Sequence, residues 1–182
     1  MFRLPLRDGV ELRLVEERHA DALFAAVDRN REYLREWLVW VDATTGVEPV
    51  VEFIRKTLYQ FASNKGFAVG IWAGDQIIGT AGFHTIDWAN RKVEIGYWLD
   101  REQQGKGFMN SACRALLDHA FGELKLNRVE IRCATGNQAS NRVAQRLGFQ
   151  LEGTLRQAQL LYGTYHDMNV YGMVASAWRE NI

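Results

Sequence analysis

The sequence predicts an α/β fold whose sheet contains at least one parallel pair. Three observations carry this. Lys92–Leu99 alternates apolar residues at Val93, Ile95, Tyr97 and Leu99, and Val129–Cys133 alternates at Val129, Ile131 and Cys133, so both read as half-buried strands. Between them Met109, Ala112, Cys113, Leu116, Leu117, Ala120 and Phe121 keep the spacing of one helical face. A strand–helix–strand unit of this kind joins parallel neighbours. Elsewhere, Gly74-Asp75 and Gly163 each sit between two strand-like runs and mark hairpin turns.

The remaining elements follow in order. Val10–Val15 alternates as a first strand. His19–Val27 places Leu23, Phe24 and Val27 on one helical face, and Arg31–Val41 reads as a second helix carrying Tyr33, Leu34, Trp37, Leu38 and Trp40. Pro49 stands where a proline opens a third helix, which Val50, Phe53, Ile54, Leu58 and Phe61 continue to about Asn64. Phe67–Trp72 and Gln76–His84 are paired strands. Gln138–Leu147 is a short helix stopped by Gly148. Phe149–Leu161 and Tyr165–Val174 are two long closing strands.

Composition excludes several classes. With 47% hydrophobic and 24% charged residues the chain is ordinary and globular, not disordered, collagenous or coiled-coil. No apolar run approaches the ~20 residues needed to span a bilayer. Met1–Glu11 holds Arg3, Arg7, Asp8 and Glu11 and has no apolar segment of a secretory signal, so a cytoplasmic protein with no membrane partner is expected. Cys113 and Cys133 match no metal-ligand spacing and read as buried reduced thiols, so no metal is expected. The chain is neutral overall, yet residues 101–146 hold 8 basic and 4 acidic groups. That local excess suits one small polyanion rather than a nucleic acid.

The polyanion has a candidate seat at Gln104-Gly105-Lys106-Gly107-Phe108-Met109, between a strand and the strongest helix. Glycines free the backbone N–H groups there, and the first helical turn adds unpaired donors and partial positive charge. A P-loop is excluded because Gly107, not Ser or Thr, follows Lys106. A dinucleotide fingerprint is excluded because Asn110 replaces its third glycine.

Beyond that turn come Asn137, Ser140 and Asn141, then Gly148-Phe149. With these pieces in this order the sequence resembles the GNAT superfamily of acetyl-CoA-dependent N-acetyltransferases, across about Leu12 to Trp178. Gln104, Gly105, Lys106, Gly107 and Phe108 match its glycine motif, and Met109 replaces the final small residue. Ile95-Gly96-Tyr97-Trp98-Leu99-Asp100, Gln138-Ala139-Ser140-Asn141, Leu151-Glu152-Gly153 and Tyr165-His166-Asp167-Met168-Asn169 are similar to segments of the RimL/RimJ branch, which acetylates N-terminal α-amines of ribosomal proteins.

The resemblance implies one GNAT domain over residues 1–182. Its sheet is mixed and mostly antiparallel, of about six or seven strands with a central splayed parallel pair, flanked by helices. It implies acetyl-CoA as co-substrate and a homodimer. The coenzyme would lie on Gln104 through Met109, on Tyr97, Trp98 and Leu99 of the central strand, and on Asn137 and Asn141. A backbone N–H near Tyr97 or Trp98 would polarise the thioester. Ser140 is the implied proton donor to the departing thiolate; Ser140 and Asn137 also read as helix caps. Glu94 is the first candidate base and His84 the second, because Gln159 stands where related proteins often carry an acid. Tyr33, Trp37, Trp40, Tyr162 and Tyr165, with His84, are candidates to line the acceptor side.

Three readings stay open from the sequence: a protein N-terminal acetyltransferase, a small-molecule amine acetyltransferase, and an acyl-CoA-binding sensor.

Overall fold

The computed structural model describes residues 3–180. One eight-stranded sheet runs in the order β1-β2-β3-β4-β5-β6-β8-β7. Its strands are β1 (Arg3–Pro5), β2 (Val10–Leu14), β3 (Phe67–Ala73), β4 (Gln76–Phe83), β5 (Lys92–Leu99), β6 (Arg128–Ala134), β7 (Gln150–Leu161) and β8 (Thr164–Val174). The eighth strand beyond the expected count is β1, a three-residue edge too short to show alternation. All neighbours pair antiparallel except β5 and β6, which are parallel.

The helices are α1 (Ala20–Arg29), α2 (Arg31–Arg35), α3 (Val47–Ala62), α4 (Phe108–Asp118), α5 (Gln138–Arg146) and α6 (Ala175–Glu180). Helix α2 stops six residues before the expected end at Val41. The Trp37–Trp40 segment continues as turns, held by Arg31, whose guanidinium donates to the carbonyls of Val41 and Thr44 at 2.8 and 2.7 Å. Its aromatic residues, Trp37 and Trp40, are half-buried and do not follow helical periodicity. The α4 helix ends in one wider turn, His119–Glu123. Among the described residues no helix is long and apolar enough to cross a membrane.

The sheet separates two apolar cores. On one face β5 sends Val93, Ile95 and Leu99 against Met109, Cys113, Leu116 and Leu117 of α4. On the other, Trp98 joins Leu23 and Val27 of α1, Leu34 of α2, and Val50 and Ile54 of α3. Adjacent residues of one strand face opposite sides, so β5 contributes to both.

The α1–α2 junction is clamped to the end of β5. Arg29 donates to the Asp100 carboxylate from Nε at 3.0 Å and Nη2 at 2.8 Å. The Asn30 carboxamide accepts from the Arg101 N–H at 3.0 Å and donates to the Ala26 carbonyl at 2.9 Å. Burial alone would raise the Asp100 pKa, but hydrogen bonds from Arg29 and its other partners outweigh it and lower the value. A carboxyl group with a lowered folded pKa stabilises the fold above its unfolded pKa, and that stability is lost as pH falls through the folded value. Asp100→Asn should therefore cost about 2 kcal/mol at neutral pH, since it leaves Arg29 without its counter-charge. The variant should also show a flatter loss of stability on acidification; thermal melts from neutral pH to pH 3 measure both.

Candidate active site

The site begins where β5 and β6 part. They pair at Lys92↔Arg128, Val93↔Val129 and Glu94↔Glu130, and no further. Beyond that point β5 stays paired with β4 through Leu99, while β6 stays paired with β8 through Ala134. The facing edges are left open. The Glu94 carbonyl accepts from the His84 N–H, and the Asp100 N–H donates to the Ile78 carbonyl. Even-numbered residues of β5 thus turn their backbone toward β4. By the alternation of strand polar groups, Ile95, Tyr97 and Leu99 turn theirs toward the opening. Of Tyr97 and Trp98, it is Tyr97 whose backbone faces the gap. The Trp98 backbone pairs opposite Thr80, and its ring is buried in the second core.

A cleft of about 1360 Å³ runs through the opening. At one end lies the glycine turn. Gly105 and Gly107 have φ of 76° and 81°, in the left-handed region where a side chain is disfavoured. Gly107 is the N-cap of α4, so the first N–H groups of the helix point out beside it. Gln104, Gly105, Gly107, Phe108 and Met109 line the cleft. Lys106 does not; its ammonium donates to Gln103 at 2.8 Å. Gln104 donates from its side chain to the Tyr33 hydroxyl, tying α2 to the glycine turn.

Across the gap, on the α4–α5 side, Ser140 Oγ lies 2.9 Å from the Tyr97 hydroxyl. Burial pushes the Tyr97 phenol well above its ordinary value, so it stays protonated. The Asn137 carboxamide accepts from the Ser140 N–H at 3.1 Å and caps α5. Asn137 and Ser140 both line the cleft. Asn141 lies behind them, buried. Its amide donates to the carbonyls of Ala134 and Asn137, and its oxygen accepts from Asn169 and the Tyr171 hydroxyl. With every polar atom engaged, Asn141 fastens α5 to β6 and β8 and is absent from the cleft wall.

On the opposite face of β5, Glu94 lies at the fork. His84 Nδ1 and Arg132 Nε are each 3.6 Å from its carboxylate. Burial raises the Glu94 pKa, against the lowering pull of His84 and Arg132. Glu130, its neighbour in register, is held by Arg128 and Arg132; burial would raise it, but those arginines bring it below the ordinary value. The His84 ring lies over Gly96: a Cβ there would come within 2.4 Å of its Nε2. Glu94, His84, Gly96 and Arg132 all line the cleft.

The acceptor side is roofed. The Tyr162 hydroxyl donates to the Leu38 carbonyl at 3.0 Å, and the Arg35 guanidinium stacks over the Tyr162 ring at 3.7 Å. Tyr162 and Gly163 form the β7–β8 turn, with φ of 47° and 83°, and so carry the hairpin tip to α2. Tyr33, Trp37 and Trp40 line the cleft beneath this bridge; Tyr165 is 60% exposed and lies outside it. A bulge at Arg156–Ala158, where the Gln157 N–H donates to Asp167, lies beside Leu155, Ala158 and Gln159 of the wall.

An opened sheet edge with free amides, ending in a cradle of backbone donors, suits a long coenzyme with amides at one end and phosphates at the other. This defines the class as an acyl-CoA-dependent transferase. A family model described as the acetyltransferase (GNAT) domain matches residues 10–150, and the chain belongs to that family. It is 34% identical over 173 residues to the ribosomal-protein-serine acetyltransferase of Escherichia coli (strain K12), covering 94% of this chain and 96% of that one. It also resembles the structure of RimL, a ribosomal L7/L12 α-N-protein acetyltransferase in complex with coenzyme A (TM-score 0.92, 33% identity, covering 96% of this chain and 99% of that one). A further similar structure is the microcin C7 self-immunity acetyltransferase MccE in complex with acetyl-CoA and AMP (TM-score 0.87, 30% identity, covering 92% and 93%).

Gly107→Val tests the cradle. A β-branched residue in the left-handed region is strained by roughly 1–2 kcal/mol, so the fold should survive with a lower melting temperature. Coenzyme A affinity, read by calorimetry, should fall at least tenfold.

Proposed function

We propose that this chain transfers the acetyl group of acetyl-CoA to the N-terminal α-amine of a protein, a ribosomal protein foremost, by direct attack of the amine. The observation that carries this is the parting of β5 from β6. It sets the free Tyr97 backbone between a phosphate cradle at one end and Ser140 on one flank, with Glu94 on the other.

The bound coenzyme supplies an activated thioester. The cradle of Gln104–Met109 would hold its pyrophosphate, and the open edge of β5 its amide-bearing arm. The Tyr97 N–H is a fixed donor for the carbonyl oxygen. Ser140 Oγ, backed by the protonated Tyr97 hydroxyl, would give a proton to the sulfur. Glu94, with a raised pKa and set on the acceptor face, would take the amine proton directly or through water. Gln159 lines the same wall and cannot accept one.

Substrate class follows from how little base is present. An α-amine has a pKa near ~7.8 and lysine near ~10.4. A single carboxylate shared with His84 and Arg132 suffices for the first and is weak for the second. The Tyr162–Leu38 bridge over the acceptor side would suit an extended chain end passing beneath it. The relatives that act on ribosomal proteins support the same choice.

We further propose a cytoplasmic homodimer. Leu151, Leu155 and Leu160 stand exposed on β7, the last strand of the sheet, and an exposed apolar edge strand is commonly covered by a partner.

Mass spectrometry after incubation with acetyl-CoA tests the reading, using peptides with varied free N-termini, each with an internal lysine, and spermidine alongside. Acetyl should appear on the α-amine of a subset of peptides. Acetyl on spermidine or lysine alone would overturn the acceptor assignment, and coenzyme binding without transfer to any amine would favour a sensor. Ser140→Ala should lower kcat by about 10²-fold with little change in coenzyme affinity, the usual size of a lost proton-transfer group. For Glu94→Gln the acid limb of the kcat/KM profile should lose the carboxyl step. In the parent that step should lie above the ordinary glutamate range, with activity rising as Glu94 loses its proton.

A further inference from the structure

Three arginines line the cleft: Arg132, Arg142 and Arg146. Arg132 is committed, since it donates to Glu130 at 2.8 Å and lies beside Glu94. The other two differ from it. Arg142 donates only through Nε, to the Gln138 carbonyl at 3.2 Å. Arg146 has no hydrogen bond or carboxylate partner among the described residues. Several arginines outside the cleft are taken up by acids: Arg29 by Asp100, Arg35 by Asp42, Arg55 by Glu17 and Arg128 by Glu130 and Glu152.

Arg142 and Arg146 stand at i and i+4 on α5, so they share one face. Ala139 and Val143 complete that face on the cleft wall. No acidic residue occurs in Gln138–Arg146. The Asn110 amide, in the first turn of α4, reaches the Val143 carbonyl at 3.5 Å. This brings the arginine face beside the start of α4, next to the glycine turn. Like-charged side chains one turn apart repel and destabilise a helix unless an anion lies between them.

We propose that Arg142 and Arg146 form a second anion seat in the cleft and recognise the 3′-phosphate of coenzyme A, separately from the pyrophosphate cradle. This rests on the reading that the glycine turn holds the pyrophosphate. A guanidinium pair suits a terminal phosphate dianion, because each fork offers parallel donors. The small Ala139 and Val143 between the charges leave an apolar strip for the flat base. The device selects the 3′-phosphorylated coenzyme over its dephosphorylated form and over other adenine nucleotides.

Calorimetric titration with coenzyme A and with dephospho-coenzyme A, which lacks only the 3′-phosphate, tests this. The parent chain should prefer coenzyme A about tenfold or more, and the preference should shrink as salt rises. In the Arg142→Gln/Arg146→Gln double variant the two ligands should bind alike, and dephospho-coenzyme A should bind within twofold of its affinity for the parent. The Arg142→Lys/Arg146→Lys variant should keep part of the preference. Both side chains are exposed, so melting temperatures should not move. A parent without preference, a Gln variant that keeps it, or a variant that loses both ligands in step would overturn the proposal. A parent that binds neither ligand would overturn the coenzyme reading itself; Gly107→Val, which should weaken both ligands equally, distinguishes the two failures.

Discussion

The site depends on one interrupted ladder. Parallel strands normally stay paired, because an unpaired backbone group away from water costs about as much as a lost hydrogen bond. Here β5 and β6 separate after Glu94 and Glu130, and each keeps its outer neighbour. The gap is held by side chains. Tyr97 bridges it to Ser140 on one face, while Asn141 fixes α5 to β6 and β8 from behind. At the fork, Arg132 lies against both Glu94 and Glu130 and keeps two adjacent carboxylates from repelling each other. The opening is therefore a built feature, and it leaves backbone amides free to pair with a ligand.

The two halves of the cleft are tied to each other through short links. Arg29–Asp100, Asn30–Arg101 and Tyr33–Gln104 join α1 and α2 to the segment that leads into the glycine turn. Tyr162 and Arg35 join the far end of α2 to the β7–β8 hairpin. A shift in α2 is thus felt at both the phosphate cradle and the acceptor roof. The Trp37–Trp40 segment lies between those two anchors, which explains why its rings lie in the cleft wall instead of in a regular helix.

Much of this was legible in the residues. Period-2 alternation marked β5 and β6, and the α4 periodicity between them demanded a parallel pair. Gly105 and Gly107 marked the cradle because their φ values have few other tenants. What stayed hidden was contact between distant segments. Asn141 sat inside a motif and read as a coenzyme contact, yet its partners Asn169 and Tyr171 are about thirty residues away and turn it into a fastener. Tyr165 read as an acceptor residue, but it is exposed and lies outside the cleft, while the turn carries Tyr162 to the segment after α2. Arg142 and Arg146 were counted only in a local charge excess. Their lack of a carboxylate partner is a property of three dimensions, which the order of charges along the chain does not reveal.

In the proposed reaction, β5 keeps the two proton-handling groups apart. Successive side chains leave a strand on opposite faces. Glu94 therefore lies on the α1–α3 side with His84, and Tyr97 lies on the α4–α5 side with Ser140. A group that accepts a proton and a group that gives one would neutralise each other if they were hydrogen-bonded directly. Here the backbone of β5 stands between them, and Gly96, lacking a Cβ, leaves the His84 ring room to lie over that backbone. Burial raises the Glu94 carboxyl above its ordinary value and keeps the Tyr97 phenol protonated. An amine already partly neutral at cellular pH needs no stronger base than such a carboxylate, and in the proposed reaction the separation of the two faces lets each proton move without the other.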